Sequence, residues 1–368
     1  DLEKLIALME PLLKIINSGE ASETLREQFH KLREEMDGYK LHNRRFSNCD
    51  FSRAPFRGRN LSSSSFTNAT LDYADLEEAY LKETRFRNTS LHCVEFNNAN
   101  LERASVVNDS NKGSISNSNF SGADLYDFNC EKTRVKNVSF IGADISKANF
   151  SLGNFNDVTF ESAYADDEVN FQEAEFTKTD FSRANLQNAN YKKSKFTEVL
   201  FKDADLSGAN FSLARLLDVS FQGTKLLGSN FEKSTIYENF EGNNFENVSF
   251  KDAYFESTKI KDCTFLNANL EGARFGGYTY FENVSFEGAN LKNTDFTGCD
   301  FDNTKFMESN NFEAAFFDEV EPLGTDIERL NPLEEEFELS LEEIELLEKD
   351  EEWTTTAKIY EHSEYGVN

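Results

Sequence analysis

Phe181-Ser-Arg-Ala-Asn-Leu186-Gln-Asn-Ala-Asn-Tyr191-Lys-Lys-Ser-Lys-Phe196-Thr-Glu-Val-Leu-Phe201-Lys-Asp-Ala-Asp-Leu206-Ser-Gly-Ala-Asn-Phe211 places a large ring or branched chain at every fifth position. Reading outward, the same spacing runs from Phe46 to Val106, Ile115 to Phe160, Phe171 to Ile236, Phe240 to Phe275 and Phe281 to Phe306. These blocks make 51 repeats, and 30 of the 36 Phe stand at the one position, so the period is not a by-product of composition. Five fits neither the strand period of 2 nor the helix period of 3.6. A fixed short repeat implies a solenoid, whose units bury their apolar face only by stacking on their neighbours. The second residue before each central one is small: Ala54, Ala69, Ala74, Ala184, Ala189, Ser194, Val199, Ala204. A large and a small residue therefore point inward, and the other three positions are polar. The chain must turn a corner every five residues.

The triplets Ala74-Asp75-Leu76, Ala99-Asn100-Leu101, Ala123-Asp124-Leu125, Ala184-Asn185-Leu186, Ala204-Asp205-Leu206, Ala268-Asn269-Leu270 and Ala289-Asn290-Leu291 carry a resemblance to the pentapeptide-repeat family, over about 265 of 368 residues. The resemblance implies an all-β solenoid, a right-handed four-sided β-helix with one pentapeptide on each face. Four faces also agree with a twenty-residue echo: Val138-Ser-Phe140 recurs as Val158-Thr-Phe160, and Val199-Leu-Phe201 as Val219-Ser-Phe221. At four repeats per coil the expectation is about 13 coils and, at a strand spacing of roughly 4.8 Å, a rod on the order of 60 Å long.

The period slips four times. Val106 to Ile115 is one residue short of two repeats, Phe160 to Phe171 one residue long, Ile236 to Phe240 one short and Phe275 to Phe281 one long. These read as bulges that re-register the coil, with residues 107–114 and 161–170 expected to project.

The domain reading is a helical cap over 1–40, the repeats over 41–317 and an acidic linker, helix and tail over 318–368. Residues 2–17 are apolar on most of a helical surface, with Pro11 as a kink. A second helix is expected from near Ser22 to Gly38, with Leu25, Phe29, Leu32 and Met36 on one side. Such a hairpin would cover the open end of the solenoid, which otherwise presents unpaired backbone groups. In the tail, Ser340-Leu-Glu-Glu343 has the spacing of a capping box ahead of Leu341, Ile344 and Leu347. With Glu334, Glu335, Glu336 and Trp353 these form the expected partner-binding set. Residues 307–368 hold 20 Asp and Glu against 3 Lys and Arg, whereas 41–306 hold 38 against 29, so most of the net charge of -29 sits in the tail.

Enzyme chemistry finds no support. The four His (His30, His42, His92, His362) have no metal or triad spacing, and no phosphate loop, dinucleotide fingerprint or nucleophile elbow is present. Catalytic residues, metal and cofactor are therefore expected to be absent. The five Cys suggest a reducing compartment. Cys49, Cys263 and Cys299 take the small inward position and Cys130 the central one, so they read as core hydrophobes; Cys93 alone faces outward. No stretch approaches 18 apolar residues, and the overall acidity disfavours direct nucleic-acid binding. The expected function is a non-enzymatic protein-interaction scaffold or adaptor, of bacterial effector or immunity type, with a rigid rod and partner-binding helical ends. Deleting residues 322–368 would then abolish partner binding. Terminal helices also offer a homodimer contact, and a bacterial cytoplasmic location is expected, with delivery into a host cell the other setting considered. The alternative, implied by the family resemblance, is a DNA mimic that binds DNA gyrase or topoisomerase IV. It requires carboxylates gathered on one or two faces of the rod.

Overall fold

The computed structural model describes residues 4, 8, 23–109, 114–276 and 278–317. Helix Glu23–Asp37 occupies the stretch expected between Ser22 and Gly38. Of the earlier helix only Lys4 and Leu8 are described, both helical, and the tail from residue 318 lies outside the described residues.

From Leu41 to Phe317 the chain winds as a parallel β-solenoid. One ladder of parallel bridges runs Arg45, Ser65, Arg85, Ser105, Asn129, Asn149, Asn170, Asn190, Asn210, Asn230, Ser249, Asn269, Asn290, Asn310, thirteen coil-to-coil steps. Four such ladders define four faces, numbered here by the central residues of the first coils: face 1 through Leu41, Leu61 and Leu81; face 2 through Phe46, Phe66 and Phe86; face 3 through Phe51, Leu71 and Leu91; face 4 through Phe56, Leu76 and Phe96. Face 3 carries a ten-stranded parallel sheet from Leu91–His92 to Arg274–Gly276.

The corners explain why five residues suffice. Away from the slips, the backbone turns left-handed two positions after the central residue, as at Asn48 (φ 59°), Arg53 (φ 60°), Asn68 (φ 56°) and Gly208 (φ 72°). The following small residue closes the turn: the Ala54 N–H donates to the Phe51 carbonyl at 3.0 Å, and Ala189 to Leu186 at 3.2 Å. This is the geometry of a type II turn. Asn, Asp and Gly are frequent at the left-handed position because they enter that region most cheaply, yet Leu152 (φ 58°) and Leu213 (φ 61°) are held there too.

Inside, the large residues stack along the axis and meet edge-on across it. The Phe181 ring lies 4.9 Å from Phe160 and 5.0 Å from Phe201, nearly parallel, and 5.8 Å from Phe171 at 80°. Both arrangements suit the aromatic quadrupole. Where Cys130 takes the central position, Phe128 takes the small one, and both are buried; exchanging the two sizes conserves core volume. Hydroxyls at the small position do not go unpaired. Thr89 Oγ1 donates to the Phe66 carbonyl and Ser194 Oγ to that of Phe171, each at 2.7 Å.

The slips differ in their effects. At 161–170 the extra residue is absorbed at one corner, where only Asp166–Glu168 are exposed between buried Ala165 and Val169. This corrects the expected projection: Asp166 is tied by its N–H to Ser146 Oγ at 2.9 Å. In 107–114, Asp109 accepts from Arg87 Nε at 2.6 Å, and Ser110–Gly113 lie outside the described residues. The slip between Ile236 and Phe240 has another consequence. Among the described residues faces 2 and 3 are bridged from end to end, while faces 1 and 4 each break once, between Lys225 and Asn244 and between Ser220 and Asn239. At the C-terminal end, Phe317 stacks on Phe296 at 5.0 Å and Phe312 meets Phe306 at 5.5 Å, which covers the last core rings.

Candidate interaction surfaces

The seven expected partner-binding residues, Glu334, Glu335, Glu336, Leu341, Ile344, Leu347 and Trp353, lie outside the described residues. What the structure supplies is the layout of charge on the rod. With each corner residue assigned to the face it follows, face 4 carries Asp75, Glu77, Glu78, Glu95, Glu161, Asp180, Asp203, Glu241, Asp262, Glu282, Asp300 and Asp302. Against these stand Arg57, Arg183, Lys202, Lys259 and Lys261. The adjoining face 1 carries Glu83, Glu102, Asp124, Asp127, Asp144, Asp166, Asp167, Glu168, Asp205, Glu246, Glu287 and Glu308 against Lys40, Lys82, Arg103, Lys147, Lys225 and Lys305. Face 2 leans slightly the other way, with Arg45, Arg85, Arg87, Lys132, Lys192, Lys193, Lys233, Lys251 and Lys292 against Asp109, Glu131, Glu173, Glu232, Asp252, Glu271 and Glu313. Face 3 is close to balanced. The modest net charge of the repeats thus conceals two acidic faces that share an edge, opposite faces that are close to balanced or slightly basic.

Ion pairs join equivalent positions on successive coils, as in Arg57–Glu77 and Lys82–Glu102 at 2.7 Å, Lys225–Asp205 at 3.4 Å, and Arg183–Glu161. Being exposed, each is worth little, about 0–1 kcal/mol. Asp75, Glu95, Asp180, Asp203, Asp124, Asp144 and Glu287 have no ion-pair partner among the described residues. The crowding of carboxylates is felt locally. Glu95 is held above the usual carboxylate range, first by partial burial and then, against a hydrogen bond from Asn119, by Asp75 and Glu77. Tyr164 is likewise raised, by burial and then by Asp144, Asp166 and Asp124. Beneath the charges, an Asn row organises face 2. Asn190 Oδ1 accepts from the Lys192 N–H at 3.2 Å while its Nδ2 donates to Asn170 Oδ1 at 3.1 Å, so it serves both its own turn and the next coil.

Face 3 offers a different surface. Lys195, Thr197, Arg215, Leu217 and Tyr237 line a hollow of about 320 Å³ above Phe196 and Leu216, and Leu217 is 45% exposed. Further along this face Cys93 Sγ lies 3.3 Å from His92 Nε2, and His92 Nδ1 lies 2.9 Å from Ser116 Oγ. The sequence reading missed this pair by treating the two residues separately; their adjacency at a corner was the available signal. Burial pushes the Cys130 thiol up to about 12 and Cys263 up to about 11, which fits inert core residues. Among the described residues no group of three His, Cys, Asp or Glu side chains is placed to hold a metal ion, and no helix is long and apolar enough to cross a membrane.

The family comparison agrees with this architecture. The family pattern "Pentapeptide repeat region" matches residues 39–112 and 194–275, "Pentapeptide repeats (8 copies)" matches 118–161 and 167–203, and "Pentapeptide repeats (9 copies)" matches 270–315. No curated protein sequence matches the chain. Among solved structures, a trypsin-treated form of QnrB1, a plasmid-mediated fluoroquinolone resistance protein, is 18% identical, with a TM-score of 0.28. The match covers 56% of this chain and 90% of that one. HetL, a pentapeptide repeat protein involved in heterocyst differentiation regulation from the cyanobacterium Nostoc sp. strain PCC 7120, is 17% identical, with a TM-score of 0.20. It covers 78% of this chain and 95% of its own. These likenesses are of fold alone. With its five-residue period, four-sided coil and family matches along most of the repeats, the chain belongs to the pentapeptide-repeat proteins.

Proposed function

We propose that the protein is a non-enzymatic interaction rod that docks a basic protein surface along its adjoining acidic faces 4 and 1. The observation that carries this reading is the excess of carboxylates over basic side chains on those two faces, which face 2 does not share. Surface charge laid out in this way steers encounter and selects partners of opposite sign more than it adds raw affinity. Rigidity serves the same end, since a preformed surface orders few side chains on binding. The test is charge reversal. Asp75→Lys with Glu95→Lys on face 4, or Asp124→Lys with Asp144→Lys on face 1, should abolish partner capture. Lys192→Glu with Lys233→Glu on face 2 should leave it intact. Equal effects from both sets would sink the reading.

A second reading is favoured by the same observation: the partner surface is one that ordinarily receives DNA, as on DNA gyrase or topoisomerase IV. Two adjoining acidic faces meet the requirement set out from the sequence for a DNA mimic. Gyrase supercoiling titrated with the full chain, with and without a quinolone, tests it. Inhibition or drug protection that disappears at high salt supports mimicry, and no effect at micromolar protein removes it. The expected setting is the bacterial cytoplasm, in keeping with five free thiols.

A further inference from the structure

Ile236 and Phe240 are four residues apart where five is the rule, and the missing residue opens a seam. Strand Arg215–Ser220 stays bonded to Thr235–Tyr237 on face 3, and Asn230 stays bridged to Ser249 on face 2. On faces 4 and 1 the bridges are gone, and of the backbone bonds only a long one remains, from the Gly228 N–H to the Glu246 carbonyl at 3.5 Å, against 2.9 Å for Gly208 to Leu227 one coil earlier. One coil earlier the amides of Phe201, Asp203 and Leu206 donate to the carbonyls of Ser220, Gln222 and Lys225. Their counterparts Phe221, Gly223 and Leu226 make no such bond to the following coil.

Two side chains span the gap instead. Asn243, 4% exposed, donates Nδ2 to the Phe221 carbonyl at 2.7 Å. Glu238 stands two residues before a face 4 central residue, where the other coils place Ala, Val, Ser, Thr or Cys, and its carboxyl accepts from the Val219 N–H. The Phe221 and Phe240 rings are 5.9 Å apart, the widest of the stacked pairs, and a cleft of about 350 Å³ opens at this level. Besides Glu238, the charged residues lining it are Asp218, on strand Arg215–Ser220, and Glu241, on strand Phe240–Glu241. The nearby Lys261, on strand Lys259–Lys261, is engaged by Glu282 at 2.7 Å. Among the described residues no cation lines the cleft to compensate a charge on Glu238.

We propose that this seam is a proton-controlled hinge, closed over Glu238 when the carboxyl is neutral and parted along faces 4 and 1 when it ionises, with faces 2 and 3 as the hinge line. Burial is the largest influence on Glu238 and pushes its carboxyl up to about 7; the Val219 N–H opposes this, and Asp218 adds to it. A carboxyl raised above its free value of 4.5 favours the closed form fully below that pH and loses the contribution as pH rises through about 7. The hinge stands apart from the identity of any partner, although it lies within the two acidic faces and would alter their alignment.

Hydrogen exchange on the intact chain at pH 6 and pH 8, corrected for intrinsic amide rates, tests the proposal. Protection of the Val219 and Gly228 amides, whose acceptors across the seam are the Glu238 carboxyl and the Glu246 carbonyl, should fall on the order of tenfold over that range, while peptides within 250–266 hold steady. Glu238→Gln should keep the seam protected at both pH values. Unchanged seam protection, a uniform fall along the rod, or an equal fall in the Gln variant would each overturn the hinge. Should the variant fail to fold, a carbon-13 titration of Glu238 in the wild-type chain decides: a midpoint near 7 supports it and one near 4.5 refutes it.

Discussion

Replacing Tyr191 with Phe should make the protein more stable. Tyr191 occupies a central position on face 2, fully buried, stacked on Phe171 at 5.0 Å and on Phe211 at 4.8 Å. Its ring therefore does what Phe does at most other coils. Its hydroxyl has no hydrogen-bond partner among the described residues, and burial holds the phenol well above its ordinary range. A buried polar group left unsatisfied costs about 1–3 kcal/mol. Phe removes that cost without changing ring size or packing, so no cavity term opposes the gain. Urea unfolding followed by tryptophan-independent far-UV signal is the suitable assay, because solenoids lose their coils locally and a midpoint is more secure than a two-state fit. The midpoint should rise by roughly 0.5 M, given a slope of a few kcal/mol per molar. An unchanged or lower midpoint would mean that the hydroxyl is satisfied after all.

Other perturbations separate core packing from corner geometry. Phe181→Ala removes a fully buried ring stacked between Phe160 and Phe201, and unfolding should show a loss of about 3–5 kcal/mol. Gly208 and Gly228 both sit at left-handed corners (φ 72° and 68°). An added Cβ at Gly208 would meet Asn188 Oδ1 at 2.3 Å, whereas at Gly228 it meets nothing within 4 Å. Gly228→Ala should cost about 1–2 kcal/mol for the backbone region alone, and Gly208→Ala measurably more; equal costs would show that Asn188 yields freely.

The solenoid was legible because its signal is one-dimensional: the Phe and Leu period names the core, the small residue two positions earlier names the corner, and twenty-residue echoes such as Val199 and Val219 name the faces. The left-handed corner was readable too, from the Asn, Asp and Gly two positions after each central residue, but polar composition hid it among solvent-facing neighbours. Charge segregation escaped notice because Asp124 and Asp144, or Asp75 and Glu95, become neighbours only once the chain is wound four-sided. A net count over 41–306 averages the acidic faces with the other two. The seam at Glu238 was the least accessible. Two slips drop a residue and two add one, and whether a missing residue parts two ladders depends on which hydrogen bonds the shortened coil can still reach.

The most direct measurement of the central claim is partner capture by residues 1–317 beside the full chain, across a salt series. Docking on faces 4 and 1 predicts that the shortened chain captures the same partner and that binding weakens steeply as salt screens the exposed carboxylates. Loss of capture on removal of the tail, or capture indifferent to salt, would contradict it and return the binding site to the tail around Leu341, Ile344 and Leu347.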